Sequence, residues 1–103
     1  MAIARHSPQN CALVSHEVRG QALQIIQRMD DVAEAHGCRL EGAWGNLVAH
    51  TTFFLVDAPN AHTLEDMLVE LGVIGLNSVE IYPVRPQAEV FEYLATPPTK
   101  TKT

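Results

Sequence analysis

The chain has few cysteines and few basic residues, and these two shortages argue against disulfide-rich, redox and nucleic-acid-binding proteins. Its two cysteines, Cys11 and Cys38, form no C-x-x-C pair, so no disulfide framework or redox motif is indicated. Seven lysines and arginines stand against twelve acidic residues, for a formal net charge of -5. No basic stripe runs through the body of the sequence, and both lysines lie near its end. Because nucleic-acid surfaces need such a stripe, we expect no DNA or RNA partner.

Long apolar runs are also missing. No stretch is long enough to span a bilayer, and no secretory signal is seen, so we expect a cytoplasmic protein with reduced cysteines and no membrane partner. Apolar residues are nevertheless abundant, at 47% of the chain against 18% charged. That balance is typical of a globular domain and not of a disordered chain. We predict one domain over residues 1–95 and a disordered tail over residues 96–103.

The hydrophobic pattern predicts alternating strands and helices. Ser15 is a good N-cap for a first helix, and Gly37 suits the left-handed residue that closes it. The clearest strand is HTTFFLV, an unbroken row rich in β-branched and aromatic residues. In chain order we predict a strand, a helix, two strands, a helix, a strand and a short terminal helix, over residues 1–6, 16–36, 38–46, 50–56, 63–71, 79–82 and 86–94. Residues 72–77 are predicted to be a loop.

The order β-α-β-β-α-β predicts an α+β fold, the ferredoxin-like split motif. Right-handed crossovers then give four antiparallel strands in the order 4-1-3-2, with both helices on one face of the sheet. In the third strand Phe53 and Leu55 point to one face while Phe54 and Val56 point to the other, so both faces need burial. We therefore expect a homodimer, or a higher homo-oligomer, in which sheets pack face to face with help from the terminal helix.

Residues 70–80, ELGVIGLNSVE, combine a helix end, a glycine loop and a final strand. On this stretch and on the element order, residues 2–92 resemble the small GYD-domain proteins of the ferredoxin-like, dimeric α/β-barrel group. The Gly-Tyr-Asp signature itself is absent, and residues 47–50, LVAH, stand in its place. The resemblance implies the fold and the homodimer. The wider group includes cofactor-independent oxygenases, haem-handling enzymes and ligand-sensing regulatory domains.

Two histidines and a cysteine are predicted to meet at one end of this fold. His6 ends the first strand, Cys11 lies in the loop that follows, and His50 begins the third strand, which neighbours the first. Neutral imidazole and thiolate suit zinc or copper, so we predict a metal site with three ligands and an open fourth position. The alternatives are histidines that are hydrogen-bonded at strand ends and a cysteine buried as a small apolar residue.

Asn10, Trp44 and Asn77 are predicted to line the same end and to contact a cofactor or ligand. For Trp44, a place in the core or in an interface is the alternative. The remaining candidates, His36, Cys38 and His62, are predicted at the opposite end of the domain. A disulfide between Cys11 and Cys38 would then exceed the Cα separation of about 7 Å that such a bond spans.

Three functions fit these observations. The first is a small dimeric binding protein that holds zinc, copper or a metal-bound ligand at His6, Cys11 and His50. The second is a small enzyme of the cofactor-independent oxygenase or haem-handling type; the resemblance implies that such an enzyme uses a pocket beside the sheet, near His6, Trp44 and Asn77. The third is an interaction or regulatory module without chemistry. We favour the first, while the sequence leaves open whether any reaction is catalysed.

Overall fold

Two long helices cover one face of a four-stranded antiparallel sheet in the computed structural model, which describes residues 1–96. In chain order the elements are β1 (Ala2–Arg5), α1 (His16–Ala35), β2 (Arg39–Asn46), β3 (Thr51–Asp57), α2 (Ala61–Leu71), α3 (Val73–Leu76), β4 (Ser78–Ile81) and α4 (Gln87–Ala95). A short 3-10 helix, Pro8–Asn10, lies between β1 and α1. The α+β class is confirmed. Of the predicted tail, all but Thr96 lies outside the described residues.

The strand order is β2-β3-β1-β4, and every neighbouring pair is antiparallel. Read from the β4 edge, the neighbours are those of the 4-1-3-2 order derived from the sequence. The two central strands, β1 and β3, pair Arg5 with Thr51. The ladder continues one residue further, because the backbone N–H of His6 donates to the carbonyl oxygen of His50 at 3.1 Å. The residue after β1 and the residue before β3 are thereby held side by side.

Side-chain caps and glycines set the helix ends. The hydroxyl of Ser15 accepts from the Val18 amide at 3.2 Å, and Gly37 has a φ of 71°, as predicted for the two ends of α1. Helix α2 begins two residues earlier than predicted, because Asn60 caps it by accepting from the Thr63 amide at 2.8 Å. The predicted loop at residues 72–77 is mostly the short helix α3. Gly72, with φ 85°, ends α2 and lets another helical turn follow at once.

The core lies between the sheet, α2 and only the C-terminal half of α1. Three buried residues face it from the central strands, Ala2, Ala4 and Phe54. Helix α2 contributes four buried residues, Leu64, Met67, Leu68 and Leu71. Helix α1 contributes three, Met29, Val32 and Ala33, all in its second half. The first half of α1 carries apolar residues too, but none of them is buried.

The face of the sheet away from the helices carries a partly exposed apolar row beside the Arg5–Glu80 ion pair. The register aligns Ile3, Phe53 and Trp44 in one row across β1, β3 and β2. We call these three residues and Leu55 the outer face; each is partly or largely exposed. Helix α4 has no buried residue at all. Among the described residues, no helix is both long and apolar enough to cross a membrane.

Candidate metal centre

His6, Cys11 and His50 lie together at one end of the sheet. One ligand atom from each residue lies within 4.8 Å of the other two. Cys11 is only 5% exposed, and both histidines are partly buried. The structure therefore brings together the three residues that the sequence analysis proposed as metal ligands, although they come from three separate segments of the chain.

The backbone directs both imidazoles inward. His6 follows β1 and shares the strand alternation of Ala2 and Ala4, which places its side chain on the helix side of the sheet. His50 has a φ of 51°, and no other non-glycine residue in the described part has a positive φ. This left-handed conformation costs roughly 1 kcal/mol or more for a residue with a Cβ. The two rings meet edge to face, with centroids 5.2 Å apart.

Cys11 is held by its own backbone. Its N–H donates to the Pro8 carbonyl at 3.3 Å, so Cys11 closes the 3-10 helix. Its carbonyl oxygen accepts from the amides of Val14 and Ser15, at 3.0 and 2.9 Å, and so starts the turn that leads into α1. Both sides of the residue are therefore anchored, and the thiol stays next to the histidines.

Each histidine has one buried ring nitrogen without a partner. His6 Nε2 and His50 Nδ1 make no hydrogen bond to any residue between 1 and 96. The other nitrogen of His6, Nδ1, lies 3.3 Å from Asn77 Oδ1, which only accepts. A hydrogen bond between these two atoms places the proton on Nδ1, and in that tautomer of the neutral ring Nε2 has a lone pair for a metal. Asn77 is itself oriented, because its Nδ2 donates to the Val73 carbonyl at 2.9 Å.

Those free nitrogens suit a transition metal. A buried polar atom without a hydrogen-bond partner destabilises the folded protein by about 1–3 kcal/mol. A cation bound by both nitrogens and the Cys11 thiolate would give each of the two nitrogens a partner. Around tetrahedral zinc, ligand atoms at about 2.0–2.3 Å from the ion lie roughly 3.3–3.8 Å from one another. The ligand atoms of the cluster lie within 4.8 Å of one another. Each pair would therefore move closer by no more than about 1.5 Å to reach the tetrahedral spacing. Nitrogen and sulfur ligands disfavour magnesium and calcium, which prefer oxygen.

An apolar cavity of about 610 Å³ opens beside this cluster. It lies between the sheet and residues 18–30 of α1, and we call it the α1 cavity. His6 and Cys11 form part of its wall, as do Asn10 and Asn77, two of the three residues predicted to contact a ligand. The cavity is thus continuous with the candidate metal centre.

Trp44, the third such residue, borders the cavity, but its ring lies on the opposite side of the sheet. It pairs with Phe53 on the outer face, and its ring packs against Gly42, where an added Cβ would lie 2.6 Å from Cη2 of Trp44. A bulge between Leu40 and Gly42 shifts the register and so reverses the alternation of the side chains that follow. The register therefore indicates that the Trp44 ring lies on the outer face, and its contact with a ligand in the α1 cavity stays a prediction.

The remaining titratable candidates lie outside the cluster. His36 Nε2 pairs with Glu70 Oε1 at 2.8 Å, and His62 lies 3.5 Å from Glu65. Cys38 is buried in the core, where burial and the nearby Asp57 carboxylate raise the pKa of its thiol. Both cysteines are free, as predicted.

Comparisons of the chain with protein-family models, with curated proteins and with solved structures find no match. The resemblance to GYD-domain proteins therefore stays a prediction. What the protein does has to be argued from the geometry of the metal centre and of the α1 cavity.

Proposed function

We propose that this chain is a small binding protein that holds zinc or copper at His6, Cys11 and His50. The observation that carries the proposal is the pair of buried, unpartnered imidazole nitrogens beside a buried thiol. Such nitrogens are unfavourable in a metal-free protein and become ligands in a metal-bound one.

The chemistry of the three ligands limits which metals the site would bind. Two imidazoles and one thiolate suit zinc and copper, and three protein ligands leave one position open. An open position is typical of a catalytic or exchangeable metal and not of a structural one. The hydrogen bond from His6 Nδ1 to Asn77 is the outer-shell contact that metal-bound histidines commonly make.

Metal loading tests the proposal. Purified protein is incubated with Zn²⁺ or Cu²⁺, passed over a desalting column and analysed for metal content. We expect about one ion per chain, and a loss of at least tenfold in affinity for Cys11→Ser and His50→Asn. Asparagine tolerates a left-handed backbone, so His50→Asn removes the imidazole without adding backbone strain.

The matched control is His62→Asn, which makes the same change at an exposed histidine outside the cluster and should bind metal normally. Wild-type protein that stays metal-free after loading, or unchanged binding by His50→Asn, would refute the site.

A small enzyme of the haem-handling or cofactor-independent oxygenase type is the second candidate function. The α1 cavity supports it, because His6 and Asn77 lie in the wall of a space large enough for a small molecule. The position of the Trp44 ring on the outer face weakens the oxygenase variant. A titration with hemin tests the haem variant: a red-shifted, saturable Soret band would favour it, and an unchanged hemin spectrum would exclude it.

We also propose that the chain forms a homodimer through the outer face. The row of Ile3, Phe53 and Trp44 is apolar and partly exposed, as expected of a sheet that packs against a second sheet. Helix α4 supports this proposal as well, since Phe91 and Leu94 are mostly exposed. A dimer in which the cluster binds no metal and the α1 cavity binds no ligand would favour the third function, an interaction module without chemistry.

A further inference from the structure

Apolar residues of α1 line the α1 cavity as well as the core. Val18, Ala22, Ile25 and Met29 follow helical spacing and line the α1 cavity. Of these, only Met29 is buried, and the neighbouring Ile26, which also lines the cavity, is 67% exposed. The stripe continues the one that packs the core further along the same helix.

An apolar stripe beside an unfilled space is unfavourable. Its side chains lose the dispersion contacts of a packed core, and the exposed ones leave apolar surface in water. An apolar occupant would restore both contributions. The volume of about 610 Å³ falls in the usual range for sites that bind small molecules.

The polar part of the wall lies beside the metal ligands. His6 and Asn77 share a hydrogen bond there, and Asn10 directly precedes Cys11 in the chain. Among residues 1–96, the charged side chain that lines the cavity is the carboxylate of Asp30, so within this part of the chain an anionic group would pair with the metal and not with the wall. A dication bound by one thiolate and two neutral imidazoles keeps a net charge of +1 and one open position.

We propose that the α1 cavity binds an apolar molecule with a single anionic donor group, which occupies the open position on the metal while the tail lies along α1. This inference rests on the proposed metal site. It assigns the class of ligand, a medium-length apolar acid, from the apolar tail space and from the charge and open position left on the metal.

Cobalt-loaded protein and octanoate test the inference. Co²⁺ in the zinc position gives a thiolate-to-cobalt charge-transfer band, which reports the metal site, and visible d–d bands, which change when a fourth ligand binds. We expect octanoate to change the d–d bands saturably. Affinity should rise about fourfold for each methylene from butanoate to octanoate, and acetate and 1-octanol should each bind at least tenfold more weakly than octanoate.

A cavity-filling variant tests whether octanoate binds in the α1 cavity. Ala22→Phe should keep the charge-transfer band and lower octanoate affinity at least tenfold. Ala35→Phe makes the same change at an exposed residue at the end of α1, outside the cavity wall, and should change neither. If Ala22→Phe fails to fold, the series of chain lengths on wild-type protein still decides the question.

The outcomes separate the two proposals. Absence of the charge-transfer band would refute the metal site, and the inference with it. A normal band with d–d bands that octanoate does not change would overturn the ligand inference alone, as would equal octanoate binding by metal-free protein. Octanoate affinity that falls as protein concentration rises would mean that a second copy fills the cavity, and would also overturn it.

Discussion

At the scale of single residues, the candidate metal centre depends on groups behind the ligands. Asn77 Oδ1 accepts a hydrogen bond from His6 Nδ1, and Asn77 Nδ2 donates to the Val73 carbonyl, so two hydrogen bonds determine which nitrogen of His6 is free. His50 has a left-handed backbone, and its ring lies edge to face with the ring of His6. Such outer contacts raise metal affinity because they orient the ligands before the ion arrives.

Removing the Asn77 acceptor should weaken metal binding without removing a ligand. We expect Asn77→Ala to lower zinc affinity by ten- to a hundredfold, measured by competition with a chromophoric chelator. Asn77→Asp keeps an acceptor oxygen and should recover most of the affinity. Asn10→Ala, at another residue of the cavity wall, is the control. Equal affinity in Asn77→Ala and wild type would show that Asn77 does not position His6.

The pKa of Cys38 makes stability sensitive to alkaline pH. Burial and Asp57 raise this pKa in the folded protein, so the folded state favours the neutral thiol more than the unfolded state does. The resulting stability is complete below the ordinary thiol pKa of about 8.5 and is lost as the pH rises through the folded value. Urea unfolding between pH 7 and 10 should show a steeper fall in the free energy of unfolding for wild type than for Cys38→Ala. Parallel curves would contradict the assignment.

At the scale of elements, α1 has two roles that overlap along its length. Its buried residues Met29, Val32 and Ala33 pack in the core, while residues from Val18 to Asp30 line the α1 cavity. One amphipathic stripe therefore serves both packing and the proposed ligand site. The junction of α2 and α3 depends on one glycine. Gly72 is in a left-handed conformation, which allows α2 to end and α3 to start directly after it.

Glycines in two backbone conformations should respond oppositely to alanine. We expect Gly72→Ala to destabilise the protein by about 1 kcal/mol, because a Cβ disfavours a φ of 85°. Gly20 lies inside α1 with no atom within 4 Å of an added Cβ, so Gly20→Ala should stabilise by about 0.5–1 kcal/mol. Chemical denaturation of both variants measures the two changes. A stabilising Gly72→Ala would mean that the left-handed turn is absent in solution.

At the scale of the whole molecule, the sheet separates two surfaces. The helix side carries the core, the metal centre and the cavity, and the other side is the outer face. If the sheets pair through the outer face, the cavity of each copy stays accessible. The proposed dimer and the proposed ligand are therefore compatible.

A charge in the middle of the outer face should break the proposed dimer. We expect Phe53→Glu to weaken self-association at least tenfold, because the row of Ile3, Phe53 and Trp44 would bury the carboxylate. Sedimentation equilibrium measures the association. Leu23→Glu, at an exposed position of α1, is the control and should leave the mass unchanged. Wild-type protein that sediments as a monomer would refute the dimer.

Most of the fold was predictable because its signals are local. Ser15, Gly37 and the apolar spacing of α1 each act within a few residues, and the handedness of the crossovers then leaves few topologies. The side of the sheet on which Trp44 lies was not predictable. It depends on one bulged residue, which inverts the alternation of β2 and leaves no trace in composition.

The sequence by itself determined that His6, Cys11 and His50 would share one end of the fold, because strand order follows from element order and crossover handedness. Only the tertiary structure decided which nitrogens are free, how the Asn77 amide is oriented, and that α1 lines a cavity as well as a core. Those properties depend on distances of a few ångströms between segments far apart in the chain. No local pattern of residues encodes such distances, because they result from the packing of all the elements together.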